Sequence, residues 1–262
     1  MALKHTQNQY AIAKGRVYIN PVVQATGLMA GERALGNTPG LSIAVKTVTK
    51  DHYSSESGLG TKDASFTVRV ERTGKIKIDN ISPENLALWL TGAHENATQA
   101  AVAVTGEVIT VSPGLYYQLG QAEANPVGVR NVVALSLKSQ DGTTTYTLDV
   151  DYYADLSLGR IQIIRGGAIT AGTVVQAAYT PVAGVYAAVK SGQLTSVTCA
   201  LRVVGDSPTG ESYDWYLPSC VLSPDGDIDA VAEKDDFMTL SFTIDVLKPA
   251  NAEAIYCNGR PV

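Results

Sequence analysis

Alternation of apolar and polar residues, not a helical period, runs through most of this chain. Leu41-Ser-Ile-Ala-Val-Lys-Thr-Val repeats with period two and is rich in β-branched residues, the pattern of a half-buried strand. The alternation returns at Ala64–Glu71, with Phe66, Val68 and Val70 on one face and Ser65, Thr67, Arg69 and Glu71 on the other. After a Thr73-Gly74 turn it resumes in Lys75-Ile-Lys-Ile-Asp. Between the first two runs, Asp51 to Lys62 carries no apolar period and reads as a long polar loop. Ser82-Pro83-Glu84 supplies a capping hydroxyl, a proline at the first helical position and a carboxylate in the first turn. A short helix follows, with Leu86, Leu88, Trp89 and Leu90 on its buried side and Gly92 as its stop.

The same reading extends to both ends. Met1–Lys14 has little pattern and reads as an arm. Arg16-Val-Tyr-Ile-Asn-Pro is a short strand ended by proline, and Gln24–Pro39 is a Gly- and Ala-rich loop. Leu194–Val204 is a long strand. Asp214–Leu222 is a strand interrupted by Pro218, hence an edge or bent one. Met238–Val246 alternates over its whole length. Met238, Leu240, Phe242, Ile244 and Val246 face a core, while Thr239, Ser241, Thr243 and Asp245 form an opposite face that is small or acidic.

A change of texture falls near Ala93. Ala93–Ala101 is small and polar, a linker. Val102–Tyr179 then holds six strand-like runs at near-regular spacing, among them Val108–Val111, Leu115–Leu119, Val132–Leu137 and Thr145–Tyr152. That spacing suggests a small immunoglobulin-like sandwich. The expected organisation is mainly β: a first domain in two parts, 1-98 and 182-262, with an Ig-like β domain inserted at 99-181.

Composition narrows the functional classes. Hydrophobic residues make up 45% and charged residues 17%, as in a globular β protein and not a disordered one. The formal net charge of −5 argues against tight binding of a phosphate backbone, which calls for clustered Lys and Arg. Cys199, Cys220 and Cys257 are widely spaced and odd in number, so the reading is three reduced thiols and no zinc site. The N-terminal residues have no signal-peptide pattern, and no apolar run is long enough for a membrane span. The chain is expected to be made in a cytoplasm.

Catalytic and metal patterns fail one by one. Gly205-Asp206-Ser207 has the look of a protease nucleophile turn, with His52 upstream. However, Pro208 and Thr209 follow where glycines would be needed, and His52 stands in a polar context. Asp225-Gly-Asp227-Ile-Asp229 alternates carboxylates, but an EF-hand would need glycine at Ala230 and glutamate at Asp236. Asp149 and Asp151 lie two apart in a strand-like run and would share a face, as a glycosidase pair must, with nothing else in support. Glu233, Lys234, Asp235 and Asp236 form a charge run of the kind usual in solvated loops. His5, His52 and His94 are too scattered for a metal site. No catalytic residue, cofactor or metal ligand is assigned.

Three segments together carry a resemblance: Leu35-Gly-Asn-Thr-Pro-Gly, Asp51-His-Tyr-Ser-Ser-Glu-Ser-Gly and Asn80-Ile-Ser-Pro-Glu-Asn-Leu-Ala-Leu. They resemble the tail tube (major tail) proteins of tailed bacteriophages over Gly15 to about Gly92, and the likeness resumes from about Gly192. The resemblance implies a β-barrel or sandwich protomer with one flanking helix. Such protomers form six-fold rings that stack into a tube, the virion conduit through which DNA passes without specific binding. It implies a ring-stacking loop of Asp51, His52, Tyr53, Ser54, Ser55, Glu56, Leu59 and Lys62, with Tyr53 and Leu59 filling pockets between subunits. It also implies lumen-facing positions at Glu71, Thr239, Ser241, Thr243 and Asp245. The implied partners are other copies of the chain and tail proteins such as the tape measure, terminator and distal tail proteins, with no membrane. A different class is a carbohydrate-binding or adhesin-type β module that uses Tyr116, Tyr117, Tyr146, Tyr152 and Tyr153.

Overall fold

Strand pairing accounts for nearly all the regular backbone, and the protein is mainly β with one short helix. The computed structural model describes residues 10–23, 25–56, 58–232 and 236–259. In chain order the elements begin with β1 (Gly15–Val23), β2 (Leu28–Met29), β3 (Arg33–Ala34), β4 (Gly40–Ser54), β5 (Thr61–Ile78), α1 (Pro83–Trp89) and β6 (Ala93–Gln99). There follow β7 (Val104–Val111), β8 (Tyr116–Gln118), β9 (Val132–Ser139), β10 (Thr145–Tyr146), β11 (Tyr152–Asp155), β12 (Arg160–Ile163) and β13 (Thr173–Pro181). The last are β14 (Gly184–Lys190), β15 (Val197–Gly205), β16 (Tyr213–Pro224), β17 (Leu240–Val246) and β18 (Tyr256–Gly259). The chain divides into two compact units. Unit 1 runs up to Glu95 and resumes at Ala188; unit 2 is Asn96–Ala187. β6 and β14 pair with each other where the chain passes between the units.

Unit 1 is built on a nine-stranded sheet in the order β2-β1-β15-β16-β17-β5-β4, with β3 against β1 and β18 against β16. The order does not return on itself. Among the described residues the sheet stays open, with β4 as a free edge; of the barrel or sandwich expected of the protomer, a closed barrel is not formed. Period-two alternation buries one face: Val17, Ile19, Leu201, Leu217, Leu222, Leu240, Phe242, Ile244, Ile76 and Ile78 share one core, and Leu86, Leu88 and Trp89 of α1 pack into it.

Several local expectations change. β1 continues through Pro21 to Val23, because Pro21 pairs with Cys199 and its carbonyl accepts a hydrogen bond from Ala30 N. Pro218 lies in an interior strand, not at an edge. β16 pairs with β18 over Tyr213–Tyr216 and with β17 over Cys220–Pro224, so the residue without an N–H stands where the partner changes. Met238 precedes β17 and is exposed, so the core-facing run starts at Leu240. Ala93–Gln99 is a strand, not a linker. α1 is capped by Ser82, whose Oγ accepts from Asn85 N at 3.2 Å. The left-handed residue that ends it is Thr91 (φ 45), while Gly92 is needed because a Cβ there would collide with the Lys190 carbonyl. Among the described residues, no helix is long and apolar enough to cross a membrane.

Unit 2 holds a four-stranded sheet, β10-β9-β13-β7, and a three-stranded sheet, β11-β12-β8. Val111, Leu137, Val175, Ala177 and Tyr179 from the first, and Tyr152, Ile161 and Ile163 from the second, form one core. The run Thr145–Tyr152 is not a single strand. The chain turns at Asp149, which takes φ 65, and Asp151 is drawn inward as a turn-builder. The Asp151 carboxylate accepts from Thr147 N and Ala168 N, both at 2.8 Å, and these two amides hold its pKa below the usual carboxylate range. A folded-state pKa below the unfolded value of about 3.9 means that the stabilisation is complete above that pH and is lost as pH falls through the lower folded value. Replacing Asp151 with Ala is therefore expected to cost about 2 kcal/mol at neutral pH, with the difference from wild type shrinking below about pH 4. Thermal melts followed by near-UV tyrosine dichroism across that pH range check it.

Candidate functional site

Unit 1 carries its most unusual surface on the β4–β5 hairpin. β5 pairs with β17 only over Thr73–Ile78, whereas it pairs with β4 along its whole length. From Arg72 to Thr61 the two strands therefore continue as a two-stranded extension beyond the sheet. The stretch expected to be the Asp51–Lys62 loop is mostly strand: Asp51 to Ser54 pair with Ser65 to Thr61, and the turn is confined to 55–60. The apolar period is missing there because both faces are solvated and held by polar partners. Asp51 accepts from Ser65 Oγ at 2.6 Å and pairs with Lys62 at 2.8 Å; His52 Nδ1 lies 2.6 Å from Asp63. The Lys62 ammonium and the Ser65 hydroxyl hold the Asp51 carboxyl below its ordinary range.

Further along the ribbon apolar side chains continue on both faces without a core beneath them: Val45 and Val70 keep to the core side, and past the register shift between Val48 and Thr49, Phe66 stands opposite Lys50 on the other face. Phe66, Val68 and Val70 are 64%, 59% and 41% exposed, and Val45, opposite Arg72, is exposed as well. At the tip Tyr53 and Leu59 are also exposed. Isolated exposed hydrophobics are ordinary, but several on one short ribbon without a core mark a candidate interaction surface.

The other face of the sheet gathers most of the candidate lumen residues. Register places Ser241 opposite Lys77, Thr243 opposite Lys75 and Asp245 opposite Thr73, with Glu71 two residues further along β5. Thr239 lies just before β17 and is half-buried. The face is not small and acidic throughout, because β5 brings Lys75 and Lys77 onto it. Lys75 pairs with Asp225 at 2.8 Å and Arg69 with Glu71 at 2.7 Å, which leaves a mixed surface.

At the opposite end of β4 lies a cleft of about 810 Å³, whose walls include Leu41, Ile43, Val203, Trp215, Lys14 and Glu211. Ser207 is on its rim, and its hydroxyl donates to the Thr209 carbonyl. His52, twelve residues along β4 from Gly40, is roughly 40 Å away at the rise of a strand. The protease arrangement does not assemble. Asp149 and Asp151 sit in a tight turn and not side by side on a strand, which removes the glycosidase pair. Among the described residues, no three His, Cys, Asp or Glu side chains cluster to hold a metal. His5 and Glu233–Asp235 lie outside the described residues.

A buried polar hub went unread in the sequence. The Asn85 side chain, fully buried, donates to Leu35 O at 2.8 Å and Asn80 O at 2.9 Å and accepts from Arg33 Nη1 at 2.8 Å. Asn80 Nδ2 donates to the same Leu35 carbonyl, and Gly36, at φ 86, leaves room that a Cβ would take from Asn80. Two segments far apart in the chain, Leu35–Gly40 and Asn80–Leu88, are thus one packed unit at the start of β4. An asparagine three residues after a helix cap was the available signal.

The fold and this surface define a mainly β protein of two units whose marked feature is an exposed strand ribbon. The chain belongs to the family described as protein of unknown function UCP028589, whose model matches residues 10–254. A comparison with curated proteins gave no match.

Proposed function

We propose that this chain is a structural subunit that polymerises through its own surfaces into a phage tail tube, the conduit for DNA, and that it carries no catalysis. The observation behind this reading is the set of exposed apolar side chains Val45, Phe66, Val68 and Val70, on a two-stranded ribbon of a kind that is marginal by itself in water. Two features support it. β4 ends the sheet as a free edge of fifteen residues, and strand addition by a neighbour is how such an edge is closed into a ring. The hairpin tip and the cleft stand at opposite ends of β4, roughly 45 Å apart at the rise of a strand. A contact between the tip of one copy and the cleft of the next is heterologous, so it repeats and grows a linear assembly. Tyr53 and Leu59 are then the groups seated on Leu41, Ile43, Val203 and Trp215.

In this reading Glu71, Ser241, Thr243 and Asp245, with Lys75 and Lys77, form the lumen wall. Their mixed and partly paired charge gives a phosphate backbone little to adhere to. Unit 2 is read as an inserted Ig-like module: four and three strands around one core match that layout, although it has neither tryptophan nor cysteine. The test is sedimentation with negative-stain microscopy of the full chain over a range of concentration and salt. Rings or hollow tubes are expected, and protomers alone under every condition would sink the proposal.

One observation favours a second reading for unit 2. Tyr153 and Tyr116 flank Gln162 in register across three strands, and both rings are exposed, whereas Tyr146 and Tyr152 are core and the Tyr117 hydroxyl accepts from Ser112 N. The Arg160 guanidinium lies over the Tyr116 ring, 5.3 Å from its centroid, so Tyr153 is the ring offered to a stacking pyranose. Glycan binding that is abolished by Tyr153→Ala would support it; a glycan panel without a hit would remove it.

A further inference from the structure

Cys199 on β15 and Cys220 on β16 face each other directly in the register of the two strands. Directly opposed residues send their side chains to the same face, with Cβ atoms about 4.5–5.5 Å apart. A disulfide asks for Cα atoms about 4.4–6.8 Å apart and Cβ atoms about 3.5–4.5 Å apart. A small closing movement separates the two states, and the backbone beside the pair can supply it. The register shifts between Cys199 and Leu201, and Pro218, two residues from Cys220, offers no N–H to the ladder. Both thiols are free and fully buried in the core of unit 1. Burial raises both thiol pKa values, that of Cys220 to about 12, and the nearby Cys220 adds to the rise at Cys199. While the strands stay closed the thiols are therefore protonated and inert. Cys257, on β18, is exposed and stands opposite Trp215 with no cysteine in register.

We propose that Cys199 and Cys220 form a redox staple, closed into a cross-strand disulfide by a low-molecular-weight disulfide such as oxidised glutathione. Local opening at the Pro218 irregularity exposes one thiol, which loses its proton. The thiolate attacks the S–S bond of glutathione disulfide, and one glutathione leaves as a thiolate that takes up a proton. The second cysteine then loses its proton and attacks the protein sulfur of the mixed disulfide. The Cys199–Cys220 bond forms and the second glutathione leaves. Two protein thiols are oxidised and one glutathione disulfide is reduced to two thiols. The new bond ties the chain across the whole β15–β16 turn at the centre of the sheet. It thereby removes freedom from the unfolded chain and stabilises unit 1. This inference does not depend on how the chain assembles.

The experiment uses the full chain with Cys257→Ser to silence the exposed thiol. The protein is incubated with oxidised glutathione, both folded and during refolding from denaturant, so that burial alone cannot hide the sulfurs. Remaining thiols are then alkylated and the protein is digested without reductant. A linked peptide pair carrying Cys199 and Cys220 is expected, with a melting temperature raised by about 5–10 °C. Dithiothreitol should reverse the shift, and a Cys199→Ser variant should show neither effect. Recovery of both residues as alkylated thiols, or as two separate glutathione adducts, after oxidative refolding would overturn the proposal, because the sulfurs would then have had access to oxidant without reaching each other.

Discussion

Replacing Phe66, Val68 and Val70 together with threonine should abolish self-association while leaving the protomer folded. Phe66 and Val68 are mostly in water and Val70 is 41% exposed, so the substitution withdraws little buried area. Threonine keeps the β-branched preference of the strand. The expected change in unfolding free energy is within about 1 kcal/mol, the scale of surface substitutions. The polar pairs Asp51–Lys62 and His52–Asp63 would remain and keep the hairpin in register. Loss of association would appear as a sedimentation coefficient that stays at the protomer value at all concentrations. Shortening the tip by removing Ser55–Gly60 is a weaker lesion. It should spare contacts made through the β4 edge and interrupt only those made end to end, so rings without tubes are expected. Normal tubes from the triple variant would refute the role given to these side chains.

Asn85→Ala should destabilise unit 1 by about 3–4 kcal/mol, a large effect for a single truncation. Three hydrogen bonds vanish: one to the buried Leu35 carbonyl, one to Asn80 O and one from the half-buried Arg33 guanidinium. Asn80 O loses its donor, Leu35 O keeps only Asn80 Nδ2, and the Arg33 guanidinium loses its carbonyl acceptor. Burial already lowers the pKa of Arg33, partly offset by Glu84, so an unpaired guanidinium at that place is costly. Both tryptophans, Trp89 and Trp215, lie in unit 1, and their fluorescence reports its unfolding alone. A shift of the denaturant midpoint equivalent to less than about 1 kcal/mol would show that the hub is not needed. A broken hub would also release the start of β4, where Leu41 and Ile43 line the cleft.

The two variants probe the same strand from opposite ends, and they divide fold from surface. Leu41 and Ile43 repeat with the same period as Val45, and Ile76 and Ile78 with the same period as Phe66, Val68 and Val70. In the sequence these positions are indistinguishable. In the fold the first set joins the core of unit 1, and the second is exposed on the ribbon beyond it. The Asp51–Lys62 stretch shows the converse. Its polar composition was read as a loop, but polar residues opposite polar residues make a ladder as well as apolar ones do.

The sequence by itself determined what depends on near neighbours. Period two marked the strands, because successive side chains of an extended backbone point to opposite faces whatever lies around them. Ser82, Pro83 and Glu84 marked the helix start, because a cap is satisfied within one turn. Tertiary structure alone decided what depends on distant partners. It set which end of β4 and β5 would be covered, that Gly92 answers to Lys190, that Asn85 ties Leu35 to Asn80, and that Cys199 meets Cys220. Each of these is a contact between residues far apart in the chain. A local pattern carries no information about such contacts until the strand order brings the two sides together.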